Sequence, residues 1–435
     1  MFIDPQTIKS FVREKYPYLG INKQQEISRL LYEVAKREKI DYTKITDELP
    51  QPPSRFATIK DYLLQRRYPS LGSKIQTARP SFPDVTINPD LKVTVTSKPE
   101  IKPKNIFIED SVFDTEIAQR ILNQFKESTI ERISAYKNHI HKKRFSIEDY
   151  NRRMENFYLI RENYDFYKHC PCSLNSESCG YYVINLGSGC PYECSYCVLQ
   201  DYINSPGIIL PVNIQDYFTA IKDFKQGLRC GSGELTDSLA FDHITGYSLH
   251  IVEFFRQYPK NIFEFKTKSD NIGLLTSIRG EENIIISWSI NPQHIIETVE
   301  YFTASLTQRL EAAQKCVDCG YRVAFHFDPI IYYLEWESDY AALVRAIFDR
   351  IPDTRIAWIS LGTIRMSPRL KKIIENRFPE NTILDEEFLV GYDGKLRYPE
   401  DVRACLYRKL TSWIREYSKN IPLYLCMEEK SLHRE

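Results

Sequence analysis

The fold and chemistry of this chain follow from one stretch, Gly189-Cys190-Pro191-Tyr192-Glu193-Cys194-Ser195-Tyr196-Cys197-Val198-Leu199-Gln200. It places three cysteines in the spacing C-x3-C-x2-C, directly after an apolar segment typical of a strand. Three thiolates on one tight loop can hold three irons of a cubane cluster, whereas an electron-transfer cluster is closed by four cysteines. The spacing therefore predicts a 4Fe-4S cluster with one open iron.

A structural zinc site is the alternative interpretation of this loop. Tetrahedral zinc prefers two C-x2-C pairs or cysteine together with histidine, and residues 189–200 contain no histidine. Ligand preference therefore favours the cluster. A non-catalytic iron–sulfur protein is disfavoured as well, because three cysteines instead of four leave a reactive coordination position.

The composition excludes several other classes of protein. The chain has 435 residues, 43% of them hydrophobic, and its 58 Lys and Arg cancel its 58 Asp and Glu. Zero net charge gives no long-range attraction to nucleic acid or anionic lipid, so such binding needs a local patch. No apolar run approaches the roughly 20 residues of a membrane span, and no signal core opens the chain. The 11 cysteines favour metal ligation or catalysis in a reducing compartment, so we expect a cytoplasmic protein without membrane contact.

Short apolar strand candidates alternate with helical patterns after residue 180. They are Tyr181–Leu186, a less defined segment before Glu234, Phe263–Thr267, Ile284–Ser289, Val323–Ile330 and Ile356–Leu361. Strands separated by helices of about ten or more residues require parallel crossovers. The predicted fold class is therefore α/β, a partial (β/α)6 barrel of the TIM type, with active residues just after the strand ends.

Four regions are predicted along the chain. They are a small helical N-terminal module at residues 1–75, a Pro-rich linker at 76–104, an α/β segment packing on the barrel at 105–179, and the barrel at 180–430. Asn22 is expected to cap an amphipathic helix in the first region. In the third region we expect a helix from Thr115 through Phe125 and then a charged helical stretch to about Tyr158.

Polar clusters follow the predicted barrel strands. They are Gly231-Ser232-Gly233-Glu234-Leu235-Thr236-Asp237, Phe265-Lys266-Thr267-Lys268, Ser287-Trp288-Ser289-Ile290-Asn291 and His326-Phe327-Asp328-Pro329-Ile330. A Gly-rich turn with acids is usually only a loop. The position of this turn after a barrel strand favours contact with a ligand. Its small residues let the backbone approach the ligand closely, and its carboxylates can accept hydrogen bonds from an ammonium group.

At its three cysteines the sequence resembles the radical S-adenosylmethionine (SAM) enzymes. The resemblance implies that Cys190, Cys194 and Cys197 ligate the cluster and that Tyr196 contacts the adenine of SAM. It also implies an external electron donor of the ferredoxin or flavodoxin type, and reductive cleavage of SAM to a 5'-deoxyadenosyl radical that abstracts hydrogen. The motif says nothing about the substrate.

From about Ile106 to Tyr424 the order of short motifs resembles the spore photoproduct lyase family. The motifs are Cys197-Val198-Leu199-Gln200, Val212-Asn213, Thr236-Asp237, Thr267-Lys268, Ser289-Ile290-Asn291, Thr303-Ala304-Ser305-Leu306 with Arg309 and Ala312-Ala313, Gly320-Tyr321 and Pro329-Ile330. The resemblance implies a partial barrel of six βα units and a lyase that reverses a methylene-bridged thymine dimer in DNA. It implies SAM contacts at Thr236, Asp237, Lys268, Ser289 and Asn291, and Asp328 at the next strand end is predicted as a further cofactor-binding residue.

The chain departs from this family at two places. Glu234 occupies the position of a cysteine that returns a hydrogen atom to the product radical, and it resembles the glutamate that binds the amino group of SAM in other radical SAM enzymes. Cys230 and Cys426 are therefore predicted as alternative hydrogen donors. The N-terminal module is the second departure, because the short lyases lack it. Both departures favour a reaction other than simple dimer reversal.

The substrate and a second cysteine group remain open at this point. Arg132–Arg153 is rich in basic and aromatic residues, including Lys142, Lys143 and Arg144, which predicts contact with DNA or RNA, although such runs are often solvated helix faces. A peptide or small metabolite is the alternative substrate. Cys170, Cys172 and Cys179 form either a second metal site or a set of packed thiols.

Overall fold

A computed structural model describes residues 3–76, 80, 84–95, 100–140, 145–172, 179–202, 205–222 and 227–432. The helices are α1 Pro5–Lys15, α2 Ile21–Glu38, α3 Tyr42–Glu48, α4 Phe56–Arg67, α5 Glu116–Gln124, α6 Tyr136–His139, α7 Ile147–Asn151, α8 Ile214–Ile221, α9 Asp242–Thr245, α10 Tyr247–Arg256, α11 Gly273–Thr276, α12 Gln293–Val299, α13 Leu306–Asp318, α14 Trp336–Phe348, α15 Pro368–Arg377 and α16 Glu400–Tyr417. Within these described ranges, no helix is both long and apolar enough to cross a membrane.

The strands form a large sheet and several smaller ones. They are β1 Asn105–Glu109, β2 Thr129–Ile133, β3 Asn156–Ile160, β4 Lys168–His169, β5 Tyr181–Val183, β6 Glu193–Cys194, β7 Ile208–Pro211, β8 Arg229–Ser232, β9 Ile262–Thr267, β10 Ile284–Ser289, β11 Glu300–Tyr301, β12 Arg322–Ile330, β13 Ile356–Thr363, β14 Arg365–Met366, β15 Leu389–Val390, β16 Leu396–Arg397 and β17 Leu423–Leu425.

The chain divides into two compact units. The first comprises Met1–Thr94, Ile331–Leu334 and Thr363–Leu406, and the second comprises Val95–Ile330, Glu335–Gly362 and Tyr407–Glu435. The first unit therefore joins the N-terminal helices to a segment from late in the chain.

Amphipathic helices build the first unit. α2 begins at Ile21 after the N-cap Gly20, whose carbonyl accepts from the backbone N–H groups of Lys23 and Gln24. Asn22 therefore lies inside the first turn, and its prediction as the cap was wrong. In the predicted linker, Val93 N donates to Arg377 O at 2.9 Å, which joins this part of the segment to the end of α15.

One carboxylate in this unit is surrounded by cations. Glu33 in α2 accepts from Arg29 Nε at 2.8 Å, from Arg67 Nε at 2.8 Å and from Lys371 Nζ at 2.6 Å. All four side chains are buried. Burial would raise the pKa of Glu33, but the three cations hold it well below its usual range.

The second unit contains the curled sheet predicted from the sequence. Its strand order is β17-β13-β12-β10-β9-β8-β5-β4. Strands β5, β8, β9, β10 and β12 run parallel to one another, and β17 runs parallel to β13, whereas β4 at the edge runs antiparallel to β5. The six predicted barrel strands correspond to β5, β8, β9, β10, β12 and β13. The predicted α/β partial barrel is confirmed, although β5 ends at Val183 instead of Leu186.

A smaller parallel sheet, in the order β2-β1-β3-β7, belongs to the same unit. The predicted cap at Thr115 is confirmed, because its hydroxyl accepts from Ala118 N at the start of α5. The charged stretch to about Tyr158 is only partly helical, since it contains α6 and α7 but also the strands β2 and β3. Both strands pair with β1, and this pairing outweighs the local helical pattern.

Candidate active site at the cysteine loop

The three cysteines of the loop lie beyond the carboxyl end of β5. Cys190 and Cys194 are buried and Cys197 is half-buried, in one apolar cluster with Tyr192 and Leu199. The loop is tight, because Cys197 N donates to Cys194 O at 3.0 Å and Gln200 Nε2 donates to Cys197 O at 3.1 Å. These two contacts hold Cys194 and Cys197 close together in one turn.

The side chain of Arg153 stabilises this loop through hydrogen bonds to three of its residues. Its Nε donates to Cys190 O at 2.7 Å, its Nη2 to Tyr192 O at 2.8 Å, and its Nη1 to Glu193 Oε1 at 2.7 Å. Its guanidinium also lies 4.2 Å from the ring centre of Tyr150. Arg153 and Tyr150 are buried, so their assignment to a nucleic-acid surface is wrong. His141, Lys142, Lys143 and Arg144 lie outside the described residues.

The surroundings of the thiols fit a cationic cluster. Burial raises the pKa of Cys190, Cys194 and Cys197, so the thiolates need positive charge nearby. Lys268 supplies part of it and acts to lower the pKa of Cys194. Among the described residues, no three His, Cys, Asp or Glu side chains stand at the spacing of a single metal ion.

Glu300 is a buried carboxylate next to the loop, and three side chains donate hydrogen bonds to it. β11 pairs with β6 so that Glu300 lies opposite Cys194. Its carboxylate accepts from Tyr196 Oη, from Asn291 Nδ2 at 2.9 Å and from Arg309 Nη2 at 2.6 Å. Burial would raise the pKa of Glu300, but Arg309 and Lys268 lower it to about 2.

This centre collects several predicted cofactor-binding residues. Tyr196 and Asn291 both donate to Glu300, and Lys268 Nζ lies 5.7 Å from the ring centre of Tyr196. Ser289 is buried at the end of β10, where its carbonyl accepts from Arg309 Nη1 at 2.8 Å. Glu300 carried no signal in the sequence, whereas Arg309 stood in a family motif without an assigned role.

Asp237 makes mainly backbone contacts. Its Oδ1 accepts from Leu239 N, Ala240 N and Thr267 Oγ1, and its Oδ2 accepts from Lys268 N at 2.7 Å. It thereby joins the turn after β8 to the end of β9.

Two other predicted cofactor residues flank this region. Thr236 is half-buried beside Asp237, and Asp328 is half-buried near the end of β12.

The remaining predicted residues are Glu234, Cys230 and Cys426. Glu234 Oε2 is 3.0 Å from Lys168 Nζ. Cys230 is fully buried in β8, and strand alternation places it on the opposite face from Arg229, which lies against Trp358 inside the sheet. Cys426 follows β17. Neither thiol belongs to the apolar cluster of Cys190.

Comparisons with known proteins give one consistent result. The profile of the Spore photoproduct lyase family matches residues 101–420. The spore photoproduct lyase of Clostridium acetobutylicum is 25% identical over 252 residues, which are 56% of this chain and 73% of that protein. The Bacillus subtilis enzyme is 28% identical over 260 residues, 57% of this chain and 76% of that protein.

Solved structures show the same fold. A spore photoproduct lyase complexed with dinucleoside spore photoproduct has a TM-score of 0.64 at 22% identity, covering 76% of this chain and 99% of that chain. A variant with bound AdoMet and the same dinucleoside has a TM-score of 0.63 at 21% identity, covering 76% of this chain and all of the other.

Proposed function

Because this chain belongs to the spore photoproduct lyase family, a family of radical SAM lyases, we propose that it abstracts hydrogen from a DNA or other nucleotide substrate. The observation that carries the proposal is the loop of Cys190, Cys194 and Cys197, which Arg153 fixes beyond the first barrel strand. Cys190, Cys194 and Cys197 would hold a 4Fe-4S cluster there, which when bound would supply the electron for reductive cleavage of SAM. We propose that a ferredoxin- or flavodoxin-type protein reduces the enzyme in the cytoplasm.

The residues behind the loop are proposed to bind SAM. Tyr196 offers an aromatic face to adenine, while Ser289 and Asn291 lie at the end of β10. Lys268 is a half-buried cation that interacts electrostatically with Cys194 and Glu300, and it is a suitable partner for the carboxylate of SAM. Asp237 acts as a positioning residue, because its Oδ2 holds the backbone of Lys268.

Three further residues complete the proposed cofactor site. They are Glu234 for the amino group of SAM, and Thr236 and Asp328 at neighbouring strand ends. An ammonium near Glu234 would compete with Lys168 for its carboxylate.

A nucleotide substrate is supported by the relatives, three of whose structures contain dinucleoside spore photoproduct. In the basic segment, Arg132, Lys137 and Arg152 are exposed, and Arg132 forms an ion pair with Asp110 at 2.6 Å. Exposed basic side chains of this kind suit contacts with phosphate. A peptide or small metabolite is the competing substrate class. Binding of oligonucleotides that weakens steeply with salt would separate the two, because counterion release accompanies phosphate contact.

We propose that the reaction differs from simple dimer reversal. By the family resemblance, Glu234 occupies the position of the hydrogen-donating cysteine. Its carboxylate is paired with the ammonium group of Lys168. A carboxylate paired with an ammonium group cannot return a hydrogen atom to a substrate radical as readily as a cysteine thiol does. The substrate radical would then rearrange, or it would recover a hydrogen atom from the methyl group of 5'-deoxyadenosine or from the thiol of Cys230 or Cys426.

The cluster assignment is tested by replacing Cys190, Cys194 and Cys197 together with Ala. We expect anaerobic reconstitution and reduction to give charge-transfer absorbance and 5'-deoxyadenosine in the parent and neither in the triple variant. Cys319→Ala, which changes a half-buried cysteine at the end of α13, is the matched control and should retain both. Persistence of both signals in the triple variant would remove the proposal.

A further inference from the structure

The concave face of the barrel sheet carries charged side chains outside the proposed cofactor site. Arg229 in β8 identifies this face, because its guanidinium lies 4.0 Å from the ring centre of Trp358 in β13 and 5.4 Å from that of Tyr424 in β17. In the order of the sheet, several strands lie between β8 and these two partners. Only side chains on the inner side of a curled sheet can meet across that distance.

A buried polar layer crosses this inner face. Glu264 Oε1 in β9 lies 2.6 Å from His326 Nε2 in β12, and His326 Nδ1 lies 2.6 Å from Ser360 Oγ in β13. Arg229 Nη2 is 3.6 Å from Glu264 Oε2. Three strands thus contribute one connected group of side chains, and Arg229 is the cation that faces the carboxylate within it.

Lys266 lies on the same face, one step closer to the carboxyl ends of the strands. It follows Glu264 by two residues in β9, so strand alternation directs both side chains inward. The residues between them face outward, since the ring of Phe263 lies 5.0 Å from that of Phe255 in the helix α10. Burial and then the charge of Lys266 lower the pKa of His326, although Glu264 opposes this shift. The ammonium group therefore lies within electrostatic reach of the polar layer.

The charge of Lys266 has no direct partner. Glu264, the nearest carboxylate along its own strand, is already paired with Arg229. Asp328 comes from β12, but no carboxylate among the residues that the structure describes forms an ion pair with Lys266 Nζ. Lys266 is half-buried, so its ammonium group gives up part of its hydration without an opposite charge in return. An anion bound inside the barrel would supply that charge.

We propose that Lys266 binds the phosphate that links two nucleosides of the substrate and thereby anchors the substrate inside the barrel. The inference rests on the proposed function and deepens it, because a phosphodiester is the anion that a DNA-type substrate carries. A lysine ammonium binds phosphate as a compact point charge. Lys266 precedes Lys268, the residue proposed for the carboxylate of SAM, by two positions. The substrate phosphate would therefore lie deeper in the barrel than the cofactor.

The test compares two probes that differ only in this phosphate, dinucleoside spore photoproduct and the corresponding dinucleotide. Reconstituted protein with SAM, kept without reductant, should bind the dinucleotide more tightly. Lys266→Met should lower the affinity for the dinucleotide about tenfold and leave the affinity for the dinucleoside unchanged. Lys315→Met, which changes an exposed lysine of α13, is the matched control and should bind both probes as the parent does. Equal affinities of the parent for the two probes, a lack of binding included, or equal losses for both in Lys266→Met, would overturn the phosphate contact.

A labelling measurement covers the case in which Lys266→Met does not fold. Acetylation of lysines in the parent protein, read by mass spectrometry, reports the reactivity of Lys266. The dinucleotide should protect Lys266 more than the dinucleoside does, and succinate should not protect it, whereas Lys315 should react equally in every sample. Protection by succinate alone would overturn the phosphate in favour of a carboxylate, and protection by none of the probes would overturn the anion site. Formation of 5'-deoxyadenosine by the same preparation after reduction tests the proposed radical chemistry separately, so either proposal can fail without the other.

Discussion

Glu33 and Glu300 are two buried carboxylates with similar electrostatics in different parts of the molecule. Cations hold the pKa of each below its usual range against the effect of burial. Glu33 is enclosed by side chains of α2, α4 and α15. Glu300 instead lies opposite Cys194 and accepts from Tyr196 of the thiol loop. The comparison teaches that a buried ion network marks a functional site only where it adjoins reactive groups at strand ends.

The largest effect is expected at Glu33, where the network has only a structural role. Glu33→Gln leaves the charges of Arg29, Arg67 and Lys371 without their common partner and should destabilise the first unit by about 3–5 kcal/mol. Hydrogen exchange of peptides from α2 and α15 measures the loss.

The control is Lys92→Ala, which removes an exposed ion pair with Glu380 in the same unit. This change should cost less than about 1 kcal/mol. Equal protection of α2 in Glu33→Gln and the parent would show that the buried network does not stabilise the unit.

A smaller effect is expected at Glu300, where a substitution should lower the affinity for SAM. Glu300→Gln removes the charge that faces Arg309 and Lys268 and weakens the acceptor used by Tyr196 and Asn291. SAM binding to the reconstituted protein should weaken about tenfold, which corresponds to ~1.4 kcal/mol. Equilibrium dialysis with labelled SAM measures it. The Glu33→Gln protein that remains folded should bind SAM with the affinity of the parent. An equal loss of SAM affinity in both variants would contradict the assignment of a cofactor role to Glu300 and a structural role to Glu33.

The parts predicted from sequence are those with a local signal. Cys190, Cys194 and Cys197 lie within one short loop, and the barrel strands are apolar runs with helices between them, so spacing alone indicated both. The family, predicted from the order of motifs, is confirmed. Arg153 was wrongly predicted to be exposed, because the sequence alone does not distinguish an arginine on the surface from one buried against a loop. Its contacts to Cys190 and Tyr192 depend on tertiary folding.

Long-range contacts explain what the sequence did not show. Glu300 receives the Tyr196 hydroxyl across 104 positions of the chain, and no periodicity connects the two residues. Likewise, nothing local joins α15 to α2, since Lys371 reaches Glu33 across 338 positions.

The smallest effect concerns the hydrogen donor at Glu234. The parent should form few thymines from dinucleoside spore photoproduct while it produces 5'-deoxyadenosine readily. Glu234→Cys restores a thiol at this position, and we expect a modest rise in thymines formed per 5'-deoxyadenosine, with Glu234→Ser as the control that lacks sulfur. The rise is limited because Lys168 Nζ, 3.0 Å from the present carboxylate, would favour the thiolate, which has no hydrogen to donate. Many turnovers in the parent would restore the plain lyase reaction, and equal yields from the Cys and Ser variants would exclude position 234 as a donor site.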